Sequence, residues 1–309
     1  MIGQADIKLT GLIGSNPLGA LAAFGLLRVC HEISALAFAS LSWQLEDDWV
    51  AVLTLPTGQG ETSLVSQLAE YLRARRLEVF TWSDDIRERP ESYKRRLREQ
   101  AQKARYCERL EADYYAAYGS EMKADGSKGL VKPTAFHMTS GQQKFLKSVR
   151  EVAESLRNGS EDAIREALFG PWHYQDQYHS LGWDPITERM YALRYRAPTS
   201  EQPVCVRAAV WFAVEALPLF PTVVARGRLD TAAFAKQDGV ARFVWPIWSK
   251  PIGLDTLRTL LLTSELFGRL DQWESLERRG VAAIYESVRS EFGQGYAILR
   301  PSALVWSAG

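Results

Sequence analysis

Residues 16–28 read NPLGALAAFGLLR, and this stretch decides how the chain begins to fold. Asn16 before Pro17 predicts a helix start, because an asparagine caps free amide groups and proline at the first helical position lacks only a donor that would be unpaired. Apolar residues then recur at helical spacing until Arg28, well short of the ~20 residues that cross a bilayer. The small residues that permit close backbone approach are Gly19, Ala22, Ala23 and Gly25. We therefore predict a buried helix that packs closely against another element.

The composition of the whole chain sets broad limits. The chain has 309 residues, 46% of them hydrophobic, with 37 basic and 37 acidic side chains. It can therefore bury a full core, and its zero net charge gives no global attraction to nucleic acid or membrane. Three cysteines without a CxxC pair, and the absence of a signal-sequence pattern, predict a reduced, cytoplasmic protein without membrane contacts.

The first half of the chain predicts short strands and a long basic helix. A strand at residues 49–55, an amphipathic helix at 63–75 and a strand at 77–82 form a strand–helix–strand unit. Residues 91–118 contain no glycine or proline and are rich in Arg, Glu, Ala and Tyr, which predicts one long exposed helix. The expected fold class is α+β, helix-rich with short strands.

A break at Gly170 and Pro171, followed by an aromatic segment, suggests a domain boundary. The predicted parts are an N-terminal α/β region, residues 1–170, and a C-terminal α+β region rich in aromatic residues, 171–309. In the second part, strands are predicted at 190–196, 222–226 and 242–248, and helices at 204–217 and 254–267. Residues 281–305 contain a turn at 293–295 and are predicted to form either a terminal hairpin or a helix followed by a strand.

The chain offers few patterns that indicate catalysis. Residues Pro56–Thr62 read PTGQGET, close to a phosphate-binding loop, but Glu61 stands where that loop needs a lysine. A degenerate nucleotide-binding enzyme that uses this turn remains an alternative. Four histidines show no metal-site spacing, and no nucleophile motif occurs. We therefore predict no catalytic residue, no metal and no cofactor.

Residues 87–109 hold nine basic side chains against four glutamates. This local excess could follow a phosphate backbone, with Tyr93 and Tyr106 available to stack on bases. The alternative is a solvated helix face whose charges pair, Glu91 with Arg95 and Glu99 with Lys103, and both interpretations stay open here. The candidate nucleic-acid-binding residues are Lys94, Arg95, Arg98, Lys103 and Arg105, with Lys128 and Lys132 in a later basic loop.

A second aromatic feature is FVWPIWSKP at residues 243–251. Because proline cannot donate to a strand ladder, this run should be the edge or exit of a strand. Trp245 and Trp248 are candidates for base stacking, while buried packing is the more common role of such residues.

The opening stretch, Leu9-Thr10-Gly11 and residues 16–28, is followed by Trp43 and Trp49. Together with GWDP at 182–185, ALPLFP at 216–221 and WPIW at 245–248, it resembles subunits of type I-G (formerly I-U) CRISPR interference complexes. Arg189, Tyr191 and Ala192 extend the likeness.

The resemblance implies a non-catalytic, large-subunit-like component of a crRNA-guided surveillance complex. The implied partners are other effector subunits, crRNA, target DNA and a helicase-nuclease, with guide pairing reading the sequence. A purely structural protein–protein interaction subunit is a further alternative. The flanking motif contacted and the stoichiometry of the partners do not follow from the sequence.

Overall fold

The computed structural model describes residues 4–106, 109–126, 128–141, 143–187, 204–268, 270–292 and 295–308. The chain begins with β1 (Gln4–Ile13), α1 (Pro17–Glu32), β2 (Ser40–Leu45), β3 (Trp49–Pro56), α2 (Glu61–Ala74) and α3 (Glu78–Thr81). It continues with α4 (Pro90–Ala104), α5 (Arg109–Tyr118), β4 (Gly119–Ala124), β5 (Val131–Pro133), α6 (Phe145–Arg157) and α7 (Glu161–Phe169). The mixture of helices and antiparallel strands confirms the α+β class.

The part after residue 203 contains the larger sheet. Its elements are α8 (Arg207–Glu215), β6 (Thr222–Ala225), β7 (Arg228–Thr231), β8 (Phe234–Gln237), β9 (Val240–Trp248), α9 (Leu254–Leu262), α10 (Leu270–Glu277), β10 (Val281–Phe292), β11 (Tyr296–Leu299) and β12 (Ala303–Ser307). The order β11-β10-β9-β8, with β12 also on β10, is antiparallel throughout. A smaller sheet has the order β1-β3-β2. No helix in these ranges is long and apolar enough to span a membrane.

The predicted opening helix is confirmed as α1. The side-chain oxygen of Asn16 accepts hydrogen bonds from the amides of Leu18 at 2.8 Å and Gly19 at 3.2 Å, which satisfies donors that the first helical turn leaves free. The helix is buried continuously from Pro17 to Cys30. A helix buried on every side is a core element, so α1 provides the surface on which other elements assemble.

The small residues of α1 allow its backbone to touch that of α8. A Cβ atom placed on Gly25 would lie 1.7 Å from the carbonyl oxygen of Phe212, closer than any side chain can approach. At the other end of α1, a Cβ on Gly19 would lie 2.5 Å from the carbonyl oxygen of Ile13 in β1. Glycine is therefore required at both contacts, as the sequence predicted for this stretch.

A buried charge cluster fixes the same crossing. Glu215, at the end of α8, accepts from Tyr114 of α5 at 2.8 Å and from Arg75, just after α2, at 2.9 Å. Arg28 of α1 pairs with the Glu215 carboxylate and also donates to its backbone carbonyl at 2.6 Å. Burial acts to raise the pKa of Glu215, but the two guanidinium groups hold it below its ordinary value. The carboxylate therefore stays charged and joins four helical segments.

The long helix predicted over residues 91–118 is wrong. Helix α4 ends at Ala104, the chain turns at Arg105 and Tyr106, and α5 begins at Arg109. The turn lets the two helices pack against each other, so that the Tyr93 hydroxyl donates to the Tyr115 carbonyl oxygen at 2.6 Å. A single straight helix would leave these tyrosines in solvent. Burial of the aromatic rings outweighs the helix propensity of the connecting residues.

The strand predicted at residues 77–82 is also wrong, because these residues form the short helix α3. Val79 and Phe80 are buried in it, and the Phe80 ring packs edge-on against Tyr114 and Trp211. A short apolar run has no periodicity that separates a strand from a buried helical turn. Tertiary packing decides the conformation here, and the predicted strand–helix–strand unit is β3, α2 and α3.

The boundary predicted near residue 170 coincides with the end of α7 but does not separate two cores. Helices α1 and α8 lie on opposite sides of this position in sequence and belong to one hydrophobic cluster. Helices α8 and α9 and strands β6 and β9 confirm the elements predicted in the second half. Strands β10 and β11 form a hairpin, which is one of the two alternatives predicted for the tail. The strand predicted at 190–196 and residues 293–294 of the predicted turn lie outside the described residues.

We expect Gly25→Ala to destabilise the protein. Overpacking a core costs about 1–3 kcal/mol or more, and a Cβ in contact with backbone cannot be relieved by a rotamer change, so the loss exceeds the ~1 kcal/mol that alanine gains in helix propensity. Urea unfolding measures the change. Gly126→Ala is the control, because its added Cβ meets nothing within 4 Å. Equal stability of the two variants would contradict the close contact between α1 and α8.

Candidate nucleic-acid interface

Helix α4 is held by its inner face. Tyr93 is buried against α5, and the Arg96 guanidinium lies over the Trp82 ring, 4.9 Å from its centroid. Arg96 also pairs with Glu88 at 3.0 Å. Arg96 is thus paired on the inner face of α4. The contacts of Tyr93 and Arg96 fix the orientation of the helix, so the opposite face is presented to solvent.

The nine basic residues between Arg87 and Arg109 fall into two groups. Three are paired with acids: Arg87 with Asp85 at 3.3 Å, Arg96 with Glu88 at 3.0 Å and Arg109 with Asp113 at 3.1 Å. The other six are exposed and form no ion pair with any residue that the structure describes. These six, which we call the cationic surface, are Arg89, Lys94, Arg95, Arg98, Lys103 and Arg105.

The cationic surface contains all five residues predicted on this helix but does not place them on one face. Lys94, Arg95 and Arg98 line a shallow open groove together with Glu91, Glu99 and Gln102. Measured around the helix axis at 3.6 residues per turn, the direction of Arg105 lies within about 20° of that of Lys94. The direction of Lys103 lies about 140° from that of Arg98. The pairs expected by the alternative interpretation, Glu91 with Arg95 and Glu99 with Lys103, are not formed within the described part of the chain. The cations are therefore available to an external anion.

The basic loop lies on a hairpin next to the start of α4. Strands β4 and β5 pair with each other, and the Val131 amide donates to the Glu88 carbonyl oxygen at 2.8 Å. Lys132 follows Val131 and is exposed, so it is close to the first turn of the helix. Lys128 is exposed on the loop that joins the two strands. The structure thus brings Lys132 close to the start of α4 and places Lys128 on the loop of the same hairpin.

Trp245 and Trp248, predicted as possible stacking residues, are buried and 0% and 2% exposed. Their indole nitrogens donate to the carbonyl oxygens of Gly14 at 2.8 Å and Leu41 at 2.6 Å, which ties β9 to the smaller sheet. Neither ring is accessible to a base, so the packing interpretation holds and the stacking interpretation is wrong. The pairing of β9 with β8 ends at Phe243, which leaves Pro246 on a locally free edge as its ring requires.

Residues 56–62 include the last residue of β3, the turn that follows it and the first residues of α2. The Gln59 side chain accepts from Ser63 and from Gln67, both at 2.7 Å, so the turn is bonded to its own helix. Glu61 occupies the first turn of α2, where its charge opposes an anion. In addition, β3 is antiparallel to both of its neighbours, unlike the parallel strand that precedes a phosphate-binding loop.

Sequence reasoning missed a buried polar pair that anchors the segment leading into α4. His137 Nε2 lies 2.5 Å from Asp85 Oδ1, and the imidazole stacks on Phe145 with ring centroids 5.4 Å apart. The two partners are 52 residues apart, so no local pattern signals the contact. Arg150 of α6 donates to Asp84 at 2.5 Å and so provides a second contact to the same segment.

The geometry indicates that His137 is a neutral structural residue. Its Nδ1 atom is buried and has no hydrogen-bond partner among the described residues, so a proton there would be unsatisfied. Burial lowers the pKa of His137 despite the neighbouring Asp85. Within the ranges that the structure describes, no group of three His, Cys, Asp or Glu side chains could hold a metal ion.

We expect the free energy of unfolding to fall as the pH drops below about 6.5, the ordinary pKa of histidine. Burial lowers the pKa of His137 and brings that of His179 to about 4, so the unfolded chain takes up protons that the folded chain refuses. Urea unfolding at pH 7.5 and pH 5 tests the sign. The free energy of unfolding should differ less between pH 7.5 and pH 5 in His137→Gln than in the wild type. A wild-type free energy of unfolding that does not decrease at pH 5 would contradict the assignment.

The described geometry thus defines a cationic helix surface beside a basic hairpin, on a fold whose aromatic residues are mostly buried. No family model, curated protein or solved structure matches this chain.

Proposed function

We propose that the chain is a non-catalytic, nucleic-acid-contacting subunit of a crRNA-guided CRISPR surveillance complex, and that α4 binds the phosphate backbone. The observation that carries the proposal is the cationic surface. Its six exposed cations have no acidic partner among the described residues, whereas the other basic side chains in the same stretch are paired.

The charge of this surface supports an anionic ligand. Glu91 and Glu99 lie in the same stretch as the six cations, so the exposed charged residues of α4 and its ends sum to an excess of four positive charges. A helix of 15 residues is about 22 Å long, which equals the length of about six nucleotides at 3.4 Å per nucleotide. Release of condensed counterions then favours binding without any base-specific contact.

The type of complex is proposed from the sequence resemblance. In a guided complex, base pairing by the RNA reads the target, and the protein needs only to contact the backbone. A surface of exposed cations that form no ion pair with a described residue fits that division of roles. Other effector subunits and a helicase-nuclease are the protein partners that this proposal implies.

We expect the triple variant Arg95→Glu, Arg98→Glu and Arg105→Glu to bind nucleic acid at least about tenfold more weakly at ~0.1 M salt. Loss of three phosphate contacts should also reduce the slope of log K against log salt concentration by about 2 for a single strand. Fluorescence anisotropy with labelled single-stranded and duplex oligonucleotides measures both quantities.

The matched control is Lys236→Glu, Lys250→Glu and Arg278→Glu, which changes the net charge by the same amount at exposed positions in the C-terminal part. This control should retain most of the wild-type affinity. If both triple variants lose affinity equally, only net charge matters, and α4 is not the binding surface. Wild-type affinity in the α4 variant would also refute the proposal.

Membership of a guided complex is tested separately in the native cell. We expect the affinity-tagged chain to co-purify with RNA that contains repeat and spacer sequences, together with other effector subunits, because the complex assembles on its guide. Sequencing of the bound RNA and mass spectrometry of the bound proteins give the answer. Recovery of the chain without repeat-derived RNA would contradict this part of the proposal and leave backbone binding by α4 intact.

A further inference from the structure

The turn between α4 and α5 presents one aromatic side chain to solvent. Tyr106 is 80% exposed, and its amide donates to the Lys103 carbonyl oxygen at 2.9 Å, which continues the helical bonding through the turn. Tyr106 therefore lies at the hydrogen-bonded C-terminal end of α4. Its neighbour in sequence, Arg105, is exposed and belongs to the cationic surface.

The other tyrosines of this helix pair have structural roles. Tyr93, Tyr114, Tyr115 and Tyr118 are all buried in the core. Their rings pack against one another or against Trp82 and Phe80. Tyr106 takes no part in that packing among the residues that the structure describes, so the fold does not account for an aromatic residue at this position.

An exposed ring next to unpaired cations has the chemistry of a single-strand binding site. In such sites, cations follow the backbone while aromatic rings stack on successive bases, and stacking is worth about 1–3 kcal/mol per base. Arg105 and Tyr106 are consecutive, with Cα atoms ~3.8 Å apart, so a cation and an aromatic ring are exposed at adjacent positions of the turn. A duplex offers no free base face along its length, because its bases are already stacked on each other.

We propose that Tyr106 is a stacking residue for an unpaired base, and that α4 therefore takes single-stranded nucleic acid in preference to a duplex. This inference rests on the proposed backbone binding by α4 and adds the class of strand to it. Trp245 and Trp248, the stacking candidates predicted from the sequence, are buried and cannot take this role, so we assign it to Tyr106.

Anisotropy with a labelled 12-nucleotide dT strand, the corresponding U strand and a 12-base-pair duplex tests the proposal. We expect Tyr106→Ala to weaken single-strand binding about 5- to 150-fold, the range that corresponds to loss of one stacked base. Tyr106→Phe should bind as the wild type does, and Tyr106→Trp at least as tightly. Duplex affinity and the salt slope should not change, because no charge is removed.

Phe38→Ala is the control, since Phe38 is an equally exposed ring, 84% accessible, outside α4. Wild-type single-strand affinity in Tyr106→Ala, together with a loss of binding in the Arg95, Arg98 and Arg105 variant, would overturn the stacking role and leave the proposed function standing. An equal loss for single strand and duplex in Tyr106→Ala would also overturn it. If the charge-reversed variant keeps its affinity, backbone binding by α4 fails, and this inference fails with it.

Discussion

The contact between α1 and α8 is the constraint on which the rest of the structure depends. Their backbones touch at Gly25 of α1. Three residues later in α1, Arg28 pairs with the buried Glu215 of α8, which also pairs with Arg75, just after α2. A buried carboxylate is tolerated only when its charge and its lone pairs are satisfied, and removal of one partner of such a group costs about 3–5 kcal/mol. The cluster therefore specifies which segments must meet at this point.

The candidate interface is connected to this cluster by a short series of contacts. Tyr114 of α5 donates to Glu215, and the next residue, Tyr115, accepts at its carbonyl oxygen from Tyr93 of α4. The position of α4 is thus set from the core outward through two tyrosine hydroxyls. Because the described packing contacts of α4 involve its inner face and the neighbouring hairpin, its exposed side chains carry charges that would be costly anywhere inside the molecule.

This arrangement divides one basic stretch into structural and available cations. Arg96 lies over Trp82 and pairs with Glu88, so it contributes to packing as well as to charge balance. Arg98, two residues later, lies on the outer face and forms no ion pair in the described part of the chain. Helical periodicity separates the roles of Arg96 and Arg98, since residues two apart point in nearly opposite directions.

Residues 16–28 determined the opening of the fold by themselves. The capping Asn16, Pro17 at the first helical position and the glycines express local rules, so α1 and its close-packed character could be predicted. The same holds for the accessibility of the predicted cations on α4, whereas the hairpin of β10 and β11 is one of two alternatives that the sequence left open for the tail. These features depend on neighbours in sequence, which the sequence displays directly.

Tertiary structure alone decided the break between α4 and α5, the helical conformation of α3 and the burial of Trp245 and Trp248. It also decided that Asp85 meets His137 and that Tyr106, rather than Tyr93, faces solvent. Each outcome is set by a contact between residues far apart in the chain or by how much apolar surface a neighbouring element can cover. Local propensity differs by only about 1 kcal/mol per residue, whereas burial of one aromatic side chain contributes about 1.5–3 kcal/mol, so packing determines the result.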